Sequence, residues 1–250
     1  MNLDAALAAV LERLSDEQIT TLAAVCQPLA HPDATVTGVA AGAPPAAHAA
    51  IAGLTAAWAA ESQLTGAGVS LALRVGLQAR RDADARRSRA VWTGPGTAAD
   101  QRLTAAVLHE LVAGATARIL LVSYAAYTLA ELAADLEAAV ERRCQVDAVF
   151  ETEEDSAGAY TGPHAQPFAA IAGIRRWRWP AAHRPPGAVL HAKLLVVDGG
   201  RALISSANLT HRALTSNLEA GVLIADPDLA DALERHVRSL IDHGVLLATA

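Results

Sequence analysis

Between residues 88 and 91 the hydrophobic period of the chain changes, and the change separates what can be built before it from what can be built after it. Ahead of it, Leu3, Ala6, Leu7, Val10, Leu11 and Leu14 recur at helical spacing, and Ser15 to Gln18 reads as a capping box that opens a second helix. Further helices are predicted over 45–61 and 69–82. Beyond it, short β-branched runs alternate with helical ones. Strands are predicted over 118–123, 145–150, 174–179, 190–197, 202–206 and 219–225. One helix runs from a capping box at Thr128–Glu131 to Arg143, and another over 164–172 stops at Gly173. The last helix is framed by Asp226 as N-cap, Pro227 at its first position and Gly244 past its end. This alternation marks an α/β layer. The reading is a helical N-terminal region, 1–88, followed by an α/β domain, 89–250.

Composition removes several classes. Hydrophobic residues make up 52% with only 4% aromatic, so Ala, Leu and Val must build the core. A net charge of −6 argues against a generally basic nucleic-acid binder and leaves local patches open. Cys26 and Cys144 supply no disulfide framework and no metal cluster, which suits a reducing compartment. The first residues carry acidic Asp4, Glu12, Asp16 and Glu17 and no basic region, unlike a signal peptide, so a cytoplasmic protein is expected. The uncharged stretch 34–60 contains Gly42, Pro44, Pro45 and His48 and reads as a loop and a buried helix, not a membrane span.

The chemistry concentrates around Lys193, the only lysine in the chain. Every other strongly basic side chain is arginine, so a lysine here points to a compact ammonium that a planar guanidinium does not imitate. In the strand predicted over 190–197, period-two alternation puts His191 and Lys193 on one face. Asp198-Gly199-Gly200 is a turn, and the returning strand brings Ser206 and Asn208 back towards that face. A histidine, a fixed cation and two neutral donors converge, which is what attack on a phosphodiester needs.

This spacing resembles the phospholipase D superfamily, whose motif is His-x-Lys, an Asp, then Gly-Ser-x-Asn. His191, Lys193, Asp198, Ser206 and Asn208 match, Ser205 stands where the family has glycine, and Asn217-Leu218-Glu219 is similar to the downstream Asn-x-Glu. The resemblance implies a layered α/β/α sandwich with a mixed sheet and a phosphodiesterase that needs no metal or other cofactor. It also implies His191 as nucleophile forming a phosphohistidine, Lys193 and Asn208 holding the non-bridging oxygens, Ser206 adding a hydrogen bond and Glu219 fixing the His191 tautomer. A chain with one motif resembles short bacterial members that complete the site as homodimers. Trp92-Thr93-Gly94-Pro95, with the helical front region, resembles the phospholipase D-like protein of the DISARM anti-phage defence system. That implies a nuclease acting on DNA, with other defence proteins as possible partners; a lipid phosphodiesterase and a non-catalytic binding component are the alternatives.

Outside the motif, Arg176 and Arg178 alternate with Trp177 and Trp179 at strand period, and with Trp92 they are the candidate substrate-binding residues. Buried tryptophans beneath an arginine-lined edge are the plainer account. Glu151, Glu153, Glu154 and Asp155 read as a solvated acidic loop, His183 as a loop histidine, and the run from Arg80 to Arg89 as a solvated helix end paired within itself.

Overall fold

The computed structural model describes residues 1–95, 102–127, 129–156 and 167–249. The chain divides into two compact units, Met1–Ala85 and Arg86–Ala250.

The first unit is helical: α1 (Leu3–Arg13), α2 (Asp16–Cys26), α3 (Ala34–Gly38), α4 (Pro45–Ala59) and α5 (Gly66–Ala85). The capping box forms as read, with Gln18 N–H donating to Ser15 Oγ at 3.2 Å and Ser15 N–H to Gln18 Oε1 at 2.9 Å. Ile19, Leu22, Ile51, Leu54, Trp58 and Leu73 fill the core between the helices. Arg80 and Arg81 at the end of α5 both pair with Asp16 at the start of α2, so these two arginines are paired across helices. Among the described residues no helix is long and apolar enough to cross a membrane.

The second unit is built on one sheet. Its elements are β1 (Arg89–Thr93), β2 (Arg102–Leu103), α6 (Thr104–Ala113), β3 (Arg118–Ser123), α7 (Ala130–Glu141), β4 (Gln145–Phe150), β5 (Ile174–Arg178), β6 (Leu194–Val197), β7 (Arg201–Ser205), α8 (His211–Thr215), β8 (Glu219–Ile224), α9 (Pro227–Asp242) and β9 (Leu247–Ala248). The strand order is β2-β1-β8-β7-β6-β3-β4-β5-β9. β3, β4 and β5 are mutually parallel, as are β1 and β2, and the remaining pairs are antiparallel, so the sheet is mixed. Strand alternation sorts the side chains. Ile119, Leu121, Val146, Ala148, Leu195 and Leu203 face Leu108, Leu111, Leu132 and Leu136 of α6 and α7. Leu120, Val122, Val149, Val196, Ala202 and Ile224 face Ala230, Leu233, Val237 and Ile241 of α9. The result is an α/β/α sandwich, as read. Asp226 caps α9 by accepting from Asp228 N–H at 3.0 Å.

Two elements differ from the sequence reading. The described part of the helix expected over 164–172, from Pro167 on, forms turns. Arg176 replaces the helical ladder there by donating to the carbonyls of Pro167, Phe168 and Ile171. The strand expected over 190–197 begins only at Leu194, so His191 and Lys193 precede the ladder. Thr128 of the expected capping box lies outside the described residues.

Candidate active site

Because β6 and β8 run against β3, β4 and β7, the ends of β3, β4 and β7 and the beginnings of β6 and β8 meet at one edge of the sheet. Tyr124, Glu151, His191, Lys193, Ser206 and Asn208 lie just outside those strand ends, and Glu219 is the first residue of β8. Long-range topology therefore collects the motif, and no single segment could.

Within this edge Lys193 Nζ lies 3.2 Å from His191 Nδ1 and 2.8 Å from the His191 carbonyl oxygen. Tyr124 forms a wall shared by both. Its ring centroid is 5.1 Å from that of His191, and the ammonium sits 5.7 Å from the Tyr124 centroid. Burial lowers the Lys193 pKa, and the negative charge of Glu219 partly offsets it. On β7 and β8, Ser206 Oγ donates to Glu219 Oε2 at 2.5 Å and accepts from Ala220 N–H at 3.1 Å. Asn217 holds the other carboxylate oxygen at 3.0 Å. Asn208 Oδ1 accepts from Ala125 N–H at 3.4 Å, and among the described residues its NH₂ group has no hydrogen-bond acceptor. An open cleft of about 450 Å³ is lined by His191, Lys193, Ser205 and Ser206, with Leu194, Ile204 and Leu233 as its apolar wall.

The serine in the glycine position is accommodated by its neighbour across the ladder. Ser205 pairs with Gly221, where a Cβ would come within 3.1 Å of the Ser205 Cβ and 2.7 Å of the Ile204 carbonyl oxygen. Ser205 Oγ accepts from Ala207 N–H at 3.0 Å and so supports the turn that carries Ser206 and Asn208.

Several expected residues sit elsewhere or do other work. Asp198 follows the far end of β6, with φ +53°. Its carboxylate accepts from Thr116, Ala117 and Arg118 N–H and from Thr116 Oγ1, at 2.8–2.9 Å. Burial raises that carboxyl, but these donors outweigh it and hold the pKa below the ordinary value. Asp198 thus ties β6 to the start of β3 and does not reach His191. Glu219 spends its oxygens on Ser206 and Asn217, and His191 Nδ1 is met by the Lys193 ammonium. Arg176 and Arg178 lie on β5, three strands from β6. Arg176 is consumed by backbone carbonyls and Arg178 by Asp155, at 2.7 and 2.9 Å. Trp92 is 40% exposed and lies across from Ala220, beside Glu219 on β8.

The acidic segment is also not solvated throughout. Glu151 and Asp155 are buried, and each holds an arginine, Arg184 and Arg178. Sequence spacing showed the charges but not that the arginines of the next segment would fold over them. Tyr124 went unread for a related reason: its place beside His191 follows only once β3 is known to pair with β6. Among the described residues no group of three or more His, Cys, Asp or Glu side chains is placed to hold a metal ion.

The family model described as cardiolipin synthase, phospholipase D-like domain, matches residues 108–241, more than half of the 250. The chain belongs to the phospholipase D superfamily. A protein named cardiolipin synthase A from Pseudomonas entomophila is 30% identical over 148 residues, 59% of this chain and 30% of that protein. One of the same name from Pseudomonas putida strain W619 is 31% identical over 140 residues, 56% and 28% of the two chains. This chain thus spans less than a third of the length of those relatives. Among solved structures, the phospholipase D family member Nuc from Salmonella typhimurium superposes with a TM-score of 0.49 at 19% identity, covering 65% of this chain and 97% of its own. NucT from Helicobacter pylori gives 0.49 at 11% identity, covering 65% and 100%.

Proposed function

We propose that this protein cleaves phosphodiesters through a phosphohistidine on His191, without a metal, at a site that two copies of the chain complete. The observation that carries this is the His191–Lys193 contact at 3.2 Å in an open cleft, with the Asn208 amide at the same sheet edge. A phosphate entering the cleft competes for the Lys193 ammonium. Its non-bridging oxygens take that donor and the Asn208 NH₂, which frees Nδ1 to carry the imidazole proton. The Nε2 lone pair then attacks phosphorus, the bond to the leaving oxygen breaks, and that oxygen takes a proton from His191 of the partner subunit. Water attacks next and releases the phosphate, giving up its proton to the same imidazole.

The second copy is favoured by the surface beside the cleft. α9 covers Ala202 and Ile224 but not the same face further along the strands, where paired Ile204 and Val222 remain 42% and 44% exposed and Trp92, opposite Ala220, 40%. An uncovered apolar sheet face next to half of a two-histidine site fits a twofold partner bringing the other half.

Nucleic acid is the substrate class this reading takes first, on the resemblance of the Trp92-to-Pro95 segment and helical front region to the defence-system protein. A lipid phosphodiester is the second reading, favoured by the name of the sequence relatives and by the apolar wall of Leu194, Ile204 and Leu233.

The test incubates pure protein in excess EDTA with single-stranded DNA, plasmid, RNA and vesicles of phosphatidylglycerol. Turnover of one of them, with an acid-labile and alkali-stable phosphoprotein that His191→Ala abolishes, is the expected result. Mixing wild type with equal His191→Ala and letting subunits exchange should leave about a quarter of the activity, against about half for independent sites. Strict dependence on Mg²⁺ would overturn the reading.

A further inference from the structure

His191 precedes β6, so no ladder hydrogen bond fixes the backbone that carries it, and a nucleophile needs its position fixed to a fraction of an ångström. The structure supplies a fixing point from β4. Glu151 follows β4 directly, and its side chain is fully buried. Its Oε2 accepts from Leu190 N–H at 2.8 Å, one residue ahead of His191, and from Arg184 Nη1 at 2.9 Å. Its Oε1 accepts from Arg184 Nη2 at 2.9 Å and from Thr152 N–H at 3.1 Å. Four donors saturate the carboxylate, two of them in the bidentate geometry only arginine provides.

Arg184, 3% exposed, is in turn the hub of the segment that leads to His191. It donates through Nε to the Trp179 carbonyl at 3.0 Å and through Nη1 to that of Ala188 at 3.2 Å, and it stacks 5.0 Å from the Trp179 ring centroid. Residues 179–190 therefore wrap one guanidinium, and both that guanidinium and the end of the wrap are tied to one carboxylate.

We infer that Glu151, acting through Arg184 and the Leu190 amide, is the positioning residue for the nucleophile. The inference rests on the proposed role of His191. Glu151→Gln keeps the volume and one acceptor but turns an NH₂ group towards Leu190 N–H or Arg184. It should lower kcat about 10- to 100-fold, the cost of an ångström-scale misplacement, and leave KM within about twofold. Asp147→Asn weakens a buried carboxylate–arginine pair of β4 and β5 that does not touch the 179–190 segment, so it controls for lost stability.

A second measurement does not need turnover. Inorganic phosphate is titrated into ¹⁵N-histidine-labelled protein while the His191 imidazole signals are followed. Glu151→Gln and Arg184→Lys should split or shift those signals with phosphate affinity within about twofold of wild type, whereas Asp147→Asn should leave the signals in place. An equal loss of kcat in Glu151→Gln and Asp147→Asn, or unchanged His191 signals in both clamp variants, would overturn the positioning role. A wild type that orders His191 through Glu151 yet turns over no phosphodiester would overturn the proposed chemistry and leave the positioning role standing.

Discussion

The charged groups of β4 and β5 and those at the mouth of β6 and β7 solve opposite problems. In the first region every named cation meets a buried anion or a set of carbonyls. Asp147 takes Arg175 and Arg238, Asp155 takes Arg178, Glu151 takes Arg184, and Arg176 closes four backbone carbonyls. In the second, Lys193 faces an imidazole and an aromatic ring, and Asn208 keeps its NH₂ group unspent among the described residues. Saturated groups hold a shape; unsaturated ones await a ligand. The arginines at strand period look like a phosphate grip in sequence, and the fold spends them on architecture, while the Lys193 ammonium, bonded to no carboxylate among the described residues, sits at the proposed site.

The largest expected effect tests the saturated side. Arg184→Met leaves Glu151 buried with no counter-charge, and removing one partner of a buried pair costs about 3–5 kcal/mol. Urea unfolding of the variant should show that loss. A cost under about 1 kcal/mol, the worth of an exposed pair, would mean that the Glu151–Arg184 contact is solvated and that the two regions do not differ in kind.

Next comes the unsaturated side. Lys193→Arg should lose nearly as much activity as Lys193→Ala, about 10²- to 10³-fold, because the fork cannot occupy the oxygen site of an ammonium. Stability should move the other way. Burial lowers the Lys193 pKa, so the folded state disfavours the ammonium at every pH below that lowered value, and the penalty fades as the pH rises through it. Lys193→Met should therefore be at least as stable as wild type in the same urea assay. Near-normal turnover by Lys193→Arg, or marked destabilisation of Lys193→Met, would place Lys193 with the architecture.

Asp198 is the motif member that belongs with the saturated set. Its donors hold the folded pKa below the ordinary 3.8, so its contribution is present above that value and vanishes as acid carries the pH down through the lowered one. Asparagine tolerates the left-handed backbone at φ +53°, so Asp198→Asn removes the charge and one acceptor oxygen without straining the turn. The variant should be less stable than wild type by about 1.5–3 kcal/mol at neutral pH, the range for hydrogen bonds to a charged group, with the gap closing in acid. A gap that does not narrow as the pH falls below the ordinary carboxyl value, or a loss of kcat without a loss of stability, would return Asp198 to the chemistry.

How much of this was legible in the sequence follows from the range of the interactions. The capping box at Ser15, the Asp226 cap of α9 and the β-branched runs of β3, β4 and β6 are local and could be read directly. His191 and Lys193 were legible because two residues of one strand approach share a side. Partners across 30 or more residues were not. Nothing near Glu151 says that Arg184, 33 positions on, will bury it, and nothing near Tyr124 says that its ring will meet His191. The turns from Pro167 were missed because a helix-like apolar pattern was read without the Arg176 side chain that satisfies its carbonyls.

The smallest expected effect concerns Ser205, the one departure from the family motif inside the cleft. A side chain in the glycine position would ordinarily crowd an approaching phosphate. Here the crowding is relieved on the opposite strand, because Gly221 offers no Cβ to meet it, and the hydroxyl supports the Ala207 amide in the turn before Asn208. Serine and glycine at the two ladder positions thus form a compensated pair. Ser205→Gly should remove one neutral hydrogen bond, worth about 1 kcal/mol, and change kcat/KM by no more than about threefold. Gly221→Ala in the wild-type background should be worse in both respects, since its Cβ meets the Ile204 carbonyl at 2.7 Å and the Ser205 Cβ at 3.1 Å. The double variant should recover part of the loss, because the Ser205 contact is then relieved while the carbonyl contact stays. A tenfold gain in activity from Ser205→Gly alone would show that the serine obstructs the phosphate site. Strict additivity of the two changes would show that the strands do not share the space the structure gives them.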